Sequence, residues 1–243
     1  MNSVHFILQG KGGVGKSLIA SYLAQYLLSK DKTVVCADTD PVNATFTQYS
    51  GLNVAYVEIT DESKTRIIQK KFDPLIEKIA ETEADFVIDN GSSTFLPLTN
   101  YMAENDIDNL LTDAGKKIYI HNVLVAGQAK TDTLNGFEEV TKRIKDSAKI
   151  VVWENWHYGD LDYNGHPFTK LKLYTSNASK IAGIVKLPNR TESDAFMSDL
   201  KQMQEKHMIF SEALASPDFG LVAKSRLRKV MNEVFAELDK VEW

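Results

Sequence analysis

The sequence predicts an α/β fold, a doubly wound and mainly parallel sheet with helices on both faces. Short apolar runs alternate with segments of helical periodicity along most of the 243 residues, the pattern of a parallel sheet with crossover helices. A glycine-rich loop joins the first run to the first helical segment, at Gly10–Ser17. No internal repeat, low-complexity tract or Pro/Gly/Ser-rich linker divides the chain, so one domain over 1–243 is expected.

In order, the candidate strands are Val4–Leu8, Thr33–Ala37, Asp85–Ile88, Lys117–Val125, Lys149–Trp153 and Ala182–Leu187. Each is a short apolar run of the kind a buried parallel strand shows. Helical spacing places Leu18, Ile19, Tyr22, Leu23, Tyr26 and Leu27 on the segment Ser17–Lys30, and further helices are expected over Lys64–Glu81, Thr131–Ser147 and Thr191–Met203. Two turn signals, Tyr158-Gly159-Asp160 and Asn164-Gly165-His166-Pro167, predict a surface hairpin or long loop over 156–169 and mark it as a candidate partner surface. A final helix over 221–241 carries an apolar stripe of Leu227, Val230, Met231, Val234 and Leu238. Lys224, Arg226, Arg228 and Lys229 crowd its first half. A docked helix with a solvated charged face, a nucleic-acid contact and a membrane-surface helix all remain open there, although Glu233, Glu237, Asp239 and Glu242 oppose anionic lipid.

Hydrophobic residues make up 43% and charged residues 25% of the chain, and the formal net charge is -5. This balance is that of an ordinary globular protein and argues against a surface devoted to nucleic acid. The one cysteine, Cys36, lies within an apolar run and has no internal partner for a disulfide. Polar Gln9-Gly10-Lys11 ends the first apolar run after five residues, unlike a signal peptide, and no apolar stretch reaches the roughly 18 residues of a membrane span. A cytoplasmic protein without membrane attachment is expected. The five histidines show no metal-ligand spacing.

The loop Gly10-Lys11-Gly12-Gly13-Val14-Gly15-Lys16-Ser17 fits the pattern of glycine, four residues, then Gly-Lys-Ser/Thr. Its chemistry follows from the residue types. Glycines let backbone N–H groups turn toward phosphate oxygens, Lys16 supplies a point charge and Ser17 offers a hydroxyl to Mg²⁺. A strand before and a helix after put the phosphates at a helix N-terminus. Acidic residues follow at carboxyl ends of strands, where such a sheet places its ligands: Asp38 and Asp40 after the second run, Asp89 after the third. A nucleoside triphosphate with Mg²⁺ is the expected ligand.

The early lysine makes this loop resemble the deviant Walker A motif of the ParA/MinD family of P-loop ATPases. Asp38-x-Asp40-Pro41 with Asn43-Ala44-Thr45, Asp89 and Ile184–Asn189 resemble that family's switch segment, Walker B aspartate and late strand. A narrower likeness is to ParA-like proteins encoded in plasmid conjugative-transfer regions. It is carried by Leu8–Lys11, Asp38–Phe46, Ile88–Gly91, Gly127–Ala129, Asp132-Thr133 with Gly136-Phe137, and Val151–Trp153.

The resemblance implies roles. Lys16 would bind the β- and γ-phosphates of ATP, and the amides of Gly12, Gly13, Val14, Gly15, Lys16 and Ser17 would cradle them, with Leu18 adjoining. Ser17 would ligate Mg²⁺ directly, with Asp38 or Asp89 holding it through water. Asp40 would orient the attacking water. Lys11 would reach across a nucleotide-sandwich homodimer to the partner's phosphates. Adenine would pack near Pro188, with Asn155 a candidate base reader. The implied function is a dimerising switch ATPase assisting conjugative DNA transfer through a protein partner. A non-catalytic ATP-dependent binding module and a plasmid partition ATPase with weak nonspecific DNA binding are the alternatives. Three departures stand out: Val42 replaces the usual glutamine in a segment one residue short, Asn90-Gly91-Ser92 replaces a proline-containing run, and Leu18 stands where a second Thr is common. They leave the phosphate and metal groups intact and point to slow hydrolysis.

Overall fold

The computed structural model describes residues 1–190 and 192–243. The elements run β1 (Ser3–Ile7), α1 (Lys16–Ser29), β2 (Val34–Asp38), β3 (Ala55–Tyr56), α2 (Asp73–Glu81), β4 (Asp85–Asp89), α3 (Phe95–Glu104), α4 (Ile107–Asp113), β5 (Lys117–Val125), α5 (Lys130–Arg143), β6 (Ala148–Asn155), α6 (Lys172–Thr175), β7 (Ile181–Leu187), α7 (Asp194–Glu205), α8 (Phe210–Ala215) and α9 (Leu221–Leu238). The seven strands pair in parallel in the order β3-β2-β4-β1-β5-β6-β7. One apolar layer packs α1, α8 and α9 on one face of this sheet, and a second packs α2, α3, α4 and α5 on the other. The α/β doubly wound fold expected from the alternation is the one observed, and its sheet is parallel throughout.

Several boundaries differ from the sequence reading, each for a local reason. The helix expected from Lys64 starts only at Asp73, with Pro74 in its first turn. Upstream, the Asp61 carboxylate accepts the backbone N–H groups of Thr65 and Arg66, and Lys64 is left-handed at φ 56°, which holds a turn instead. The helix expected to reach Ser147 ends at Arg143 because Ile144 is extended and Lys145 N–H donates to Asp108. Thr191, the expected first residue of the next helix, lies outside the described residues; α7 itself begins at Asp194. Helices α3, α4, α6 and α8 and the two-residue edge strand β3 had no clear sequence signal. Pro97 and Asn100 interrupt the apolar pattern of α3.

Over 156–169 no strand forms among the described residues. Tyr163 and His166 exchange backbone hydrogen bonds of 2.9 and 3.3 Å around Asn164 and Gly165, both at positive φ. This is the tight turn of a hairpin without its arms. Leu161, Tyr163 and Phe168 bury their side chains there, so the segment is a long loop packed onto the protein. Helix α9 docks through Leu227, Val230, Val234 and Leu238. No helix among the described residues is long and apolar enough to cross a membrane.

The strands also carry a polar chain through the apolar layer. Trp153 Nε1 donates to His121 Nδ1 at 2.8 Å, and an indole can only donate. His121 therefore carries its proton on Nε2 and donates to His5 Nδ1 at 2.9 Å, and His5 donates through Nε2 to Ser3 Oγ at 2.8 Å. Ser3 passes the polarity on to Asp85 Oδ1 at 2.8 Å. The C-terminal residue Trp243 packs against both imidazoles. Burial lowers the pKa of His5 to about 3 against the pull of Asp85, and burial with the neighbouring His5 lowers that of His121 well below its usual value. Because the unfolded chain takes up these protons first, the stability they confer is complete above about pH 6.5 and is lost as pH falls toward the folded values. Imidazole resonances of His5 and His121 should stay fixed from pH 7.5 to 5 in the folded protein and titrate in urea. A folded-state midpoint above pH 5 at either residue would contradict the neutral pair.

Candidate functional site

The carboxyl ends of β1, β2 and β4 lie side by side. Ile7 is in register with Asp89, and Asp89 with Asp38, so the glycine loop leaving β1 opens beside both strand-ending carboxylates. Gly13 and Gly15 adopt φ of 74° and 97°, conformations that admit glycine and turn successive N–H groups toward one concavity. Gly15 precedes the first residue of α1, so that concavity is also a helix N-terminus.

Gln9 anchors the loop from below. Its side-chain amide donates to the carbonyls of Val123 and Thr133 at 2.8 and 3.1 Å, and its oxygen accepts Lys11 N–H at 3.4 Å. Gly136 of α5 is required for this, since a Cβ there would lie 2.1 Å from Gln9 Oε1. Asn155, at the end of β6, clamps the loop from above: its Nδ2 donates to Val14 O at 3.1 Å and its Oδ1 accepts His157 N–H. Asn155 lines the cavity, with both ends of its amide engaged by neighbouring backbone. Val14 itself is buried beneath the loop.

Lys16 is buried, and its Nζ donates to Lys11 O at 3.2 Å. Burial lowers its pKa, opposed by the charges of Asp89 and Asp40. Lys11 points the other way, its Nζ held by Asp132 of α5 at 2.8 Å with both side chains about half exposed. The lysine expected to act on a partner chain is thus paired within its own chain.

The three aspartates have different duties. Asp38 has both oxygens engaged with backbone: Oδ1 accepts Asp40 N–H at 2.8 Å, and Oδ2 accepts Phe46 and Thr47 N–H at 2.9 and 3.3 Å. It pins the segment 40–47, and of the two carboxylates expected near a metal it is the one already satisfied. Asp89 is the opposite case. Its Oδ1 is buried with no hydrogen-bond partner, while Ser17 bonds its carboxylate. Burial pushes its pKa up to about 7, helped by Asp38 and Asp40 and opposed by Ser17 and Lys16. An orphaned carboxylate oxygen beside a serine hydroxyl fits a Mg²⁺ that keeps most of its waters. Asp40 accepts Val42 and Asn43 N–H at 2.9 and 3.3 Å, closing a turn. A Cβ on Gly91 would lie 2.7 Å from Asp40 Cγ, so Gly91 lets this carboxylate sit against the end of β4.

These groups line one cavity of about 610 Å³, a size ordinary for a small-molecule site. Gly12, Gly13, Gly15, Lys16, Ser17 and Leu18 form its loop wall, Asp40 and Asp89 stand at one end, and Asn155 and Pro188 stand at the other. Sequence reasoning missed Tyr22, Tyr49, Arg190, Gln204 and Glu233, which also line it. Tyr22 carried a core-like helical spacing, and the others lie outside any motif.

The model of the CobQ/CobB/MinD/ParA nucleotide binding domain matches residues 5–222. Two Escherichia coli proteins named TraL are each 39% identical over 239 residues, covering 98% of this chain and 98% of theirs. Among solved structures, the cell division ATPase MinD of Pyrococcus furiosus superposes with a TM-score of 0.55 at 15% identity, over 99% of both chains. The septum site-determining protein MinD of Pyrococcus horikoshii, complexed with Mg-ADP, gives 0.55 at 14% identity over 99% of this chain and 97% of its own. At such identities the two structures speak for the fold.

A carboxyl whose pKa is raised in the folded state favours folding at low pH, and that contribution is lost as pH rises through about 7. Without metal, Asp89→Asn should therefore stabilise the protein at pH 8 by on the order of 1–3 kcal/mol and much less at pH 5. Urea unfolding at the two pH values measures this; a variant less stable than the parent at pH 8 would contradict the orphaned carboxylate.

Proposed function

This chain belongs to the CobQ/CobB/MinD/ParA family of nucleotide-binding domains, and on that premise we propose that it is an ATP-binding, slowly hydrolysing and dimerising switch ATPase that assists conjugative DNA transfer. The observation that supports this reading best is the meeting of Ser17 and the orphaned Asp89 oxygen with the glycine loop, in one cavity that also takes in Asp40. The conjugative setting rests on the likeness to TraL and on the motif blocks that carry it beyond the nucleotide site.

In this mechanism Lys16 leaves the Lys11 carbonyl for the β- and γ-phosphate oxygens, and the amides from Gly12 to Ser17 cradle them. Ser17 and Asp89 are the residues that would hold Mg²⁺. When bound, the metal neutralises charge on the phosphoryl oxygens. Asp40, fixed by its turn against Gly91, orients the attacking water. Lys11 exchanges Asp132 for the phosphates of a second chain. Half-exposed ion pairs of this kind contribute about 0–1 kcal/mol, so the exchange meets little resistance. The shortened segment after Asp40, with Val42 exposed at its tip, suits a slow switch.

A DNA contact is the weaker reading. Arg226 is neutralised by Asp199 at 2.5 Å and Lys229 lies over Phe196. That leaves Lys224 and Arg228 as the cations on this stretch of α9 that nonspecific DNA binding would use.

Steady-state phosphate release and nucleotide affinity test the roles. Lys16→Ala should lose both. Asp40→Ala and Lys11→Ala should keep ATP affinity within a few-fold while turnover falls on the order of 10²-fold, as for removal of a positioning group or a cation acting in trans. Unchanged hydrolysis in Lys16→Ala would sink the assignment.

Gly91→Ala probes the same geometry without removing a charged group. Displacing Asp40 should slow turnover at least tenfold with ADP affinity unchanged. A variant as fast as the parent would show that the position of Asp40 is not critical.

A further inference from the structure

The cavity continues well past the phosphate loop. Beyond Leu18 it runs over Tyr22 of α1, beneath α7, to the chain leaving β7 at Pro188 and Arg190. Tyr22 is five residues beyond Ser17, so it lies about 7.5 Å further along the helix axis, at a rise of about 1.5 Å per residue. Phosphates held on Gly12–Ser17 leave this end to the nucleoside half of a nucleotide.

Arg190 is held here on two sides. Its guanidinium lies over the ring of Phe196 from α7, with Cζ 4.6 Å from the centroid. One terminal nitrogen pairs with Glu233 of α9. Its Nε, however, is buried and has no hydrogen-bond partner. A buried N–H left unmatched is costly, and folded proteins seldom keep one unless a ligand or water completes it. The guanidinium is planar, so Phe196 and Glu233 together fix the direction in which the Nε–H points. The Tyr22 hydroxyl is hydrogen-bonded to Gln204.

We propose that Arg190 recognises the nucleoside half of the bound nucleotide, its Nε–H donating to an acceptor on the ribose or the base. This rests on the nucleotide reading above and adds a residue that no part of the glycine-loop chemistry calls for. It also gives the C-terminal helices a means of sensing the ligand. The guanidinium that meets the nucleoside also holds Phe196 of α7 and Glu233 of α9, so a nucleoside ties both helices to the site. A polyphosphate that ends at the loop does not.

Calorimetric titration of the full chain with Mg-ADP and with Mg-tripolyphosphate separates the two halves. Arg190→Gln and Arg190→Lys should each weaken ADP about tenfold, the loss expected for one hydrogen bond from a charged donor, and change tripolyphosphate less than twofold. Lysine keeps the charge and lacks the Nε–H, so its agreement with glutamine assigns the effect to that donor. Equal weakening of both ligands would make Arg190 a structural residue, and unchanged ADP affinity would remove it from the site; either result overturns the proposal. Lys16→Ala, measured alongside, should lose both ligands. If it loses neither, the nucleotide reading itself fails, an outcome distinct from failure at Arg190.

Discussion

The lateral pairing of β4 between β1 and β2 sets the positions of every charged group in the site. In a parallel sheet all carboxyl ends lie on one edge, and the register here aligns Ile7, Asp89 and Asp38 across three adjacent strands. The glycine loop, a buried carboxylate with an unmatched oxygen and the segment pinned by Asp38 are thereby forced into one small volume. The electrostatic cost appears in Asp89, whose proton affinity rises because burial and two neighbouring carboxylates outweigh Ser17 and Lys16. In the proposed function a cation would meet the unmatched Asp89 oxygen, and phosphates would fill the glycine-loop cradle opposite.

The rest of the molecule connects that edge to surfaces that could report on it. Gln9 and Gly136 key the loop to α5, and Lys11 is paired with Asp132 on the same helix. Asp38 fastens the segment 40–47 through three backbone N–H groups, so movement of that segment starts from a defined position. On the far side, Arg190 joins the chain leaving β7 to α7 and α9. Of these links the Lys11–Asp132 pair is half exposed, so an exchange of partners there disturbs little packing.

Much of this was legible in the sequence because it depends on local patterns. Apolar runs marked six strands, since fully buried parallel strands need no alternation, and the loop from Gly10 to Ser17 carries its chemistry in its residue types. What stayed hidden depends on contacts between distant segments. The split of duties between Asp38 and Asp89 follows from which oxygens meet the backbone of residues 40–47. Asn155 could be picked out as a site residue, whereas its grip on Val14 O could not. Arg190 and Glu233 are ordinary surface residue types until β7 and α9 bring them together over the cavity. The turn at Asn164-Gly165 was readable, but the lack of paired strands around it was not, because Leu161 and Phe168 find their burial against the body of the protein.

The central claim is that ATP brings two chains together by drawing Lys11 away from Asp132. Light scattering of the 27.2 kDa chain in Mg-ATP and in Mg-ADP, using the slow Asp40→Ala variant to preserve the triphosphate, tests this most directly. The account predicts twice the monomer mass in ATP and a monomer in ADP. The same mass with both nucleotides would contradict it.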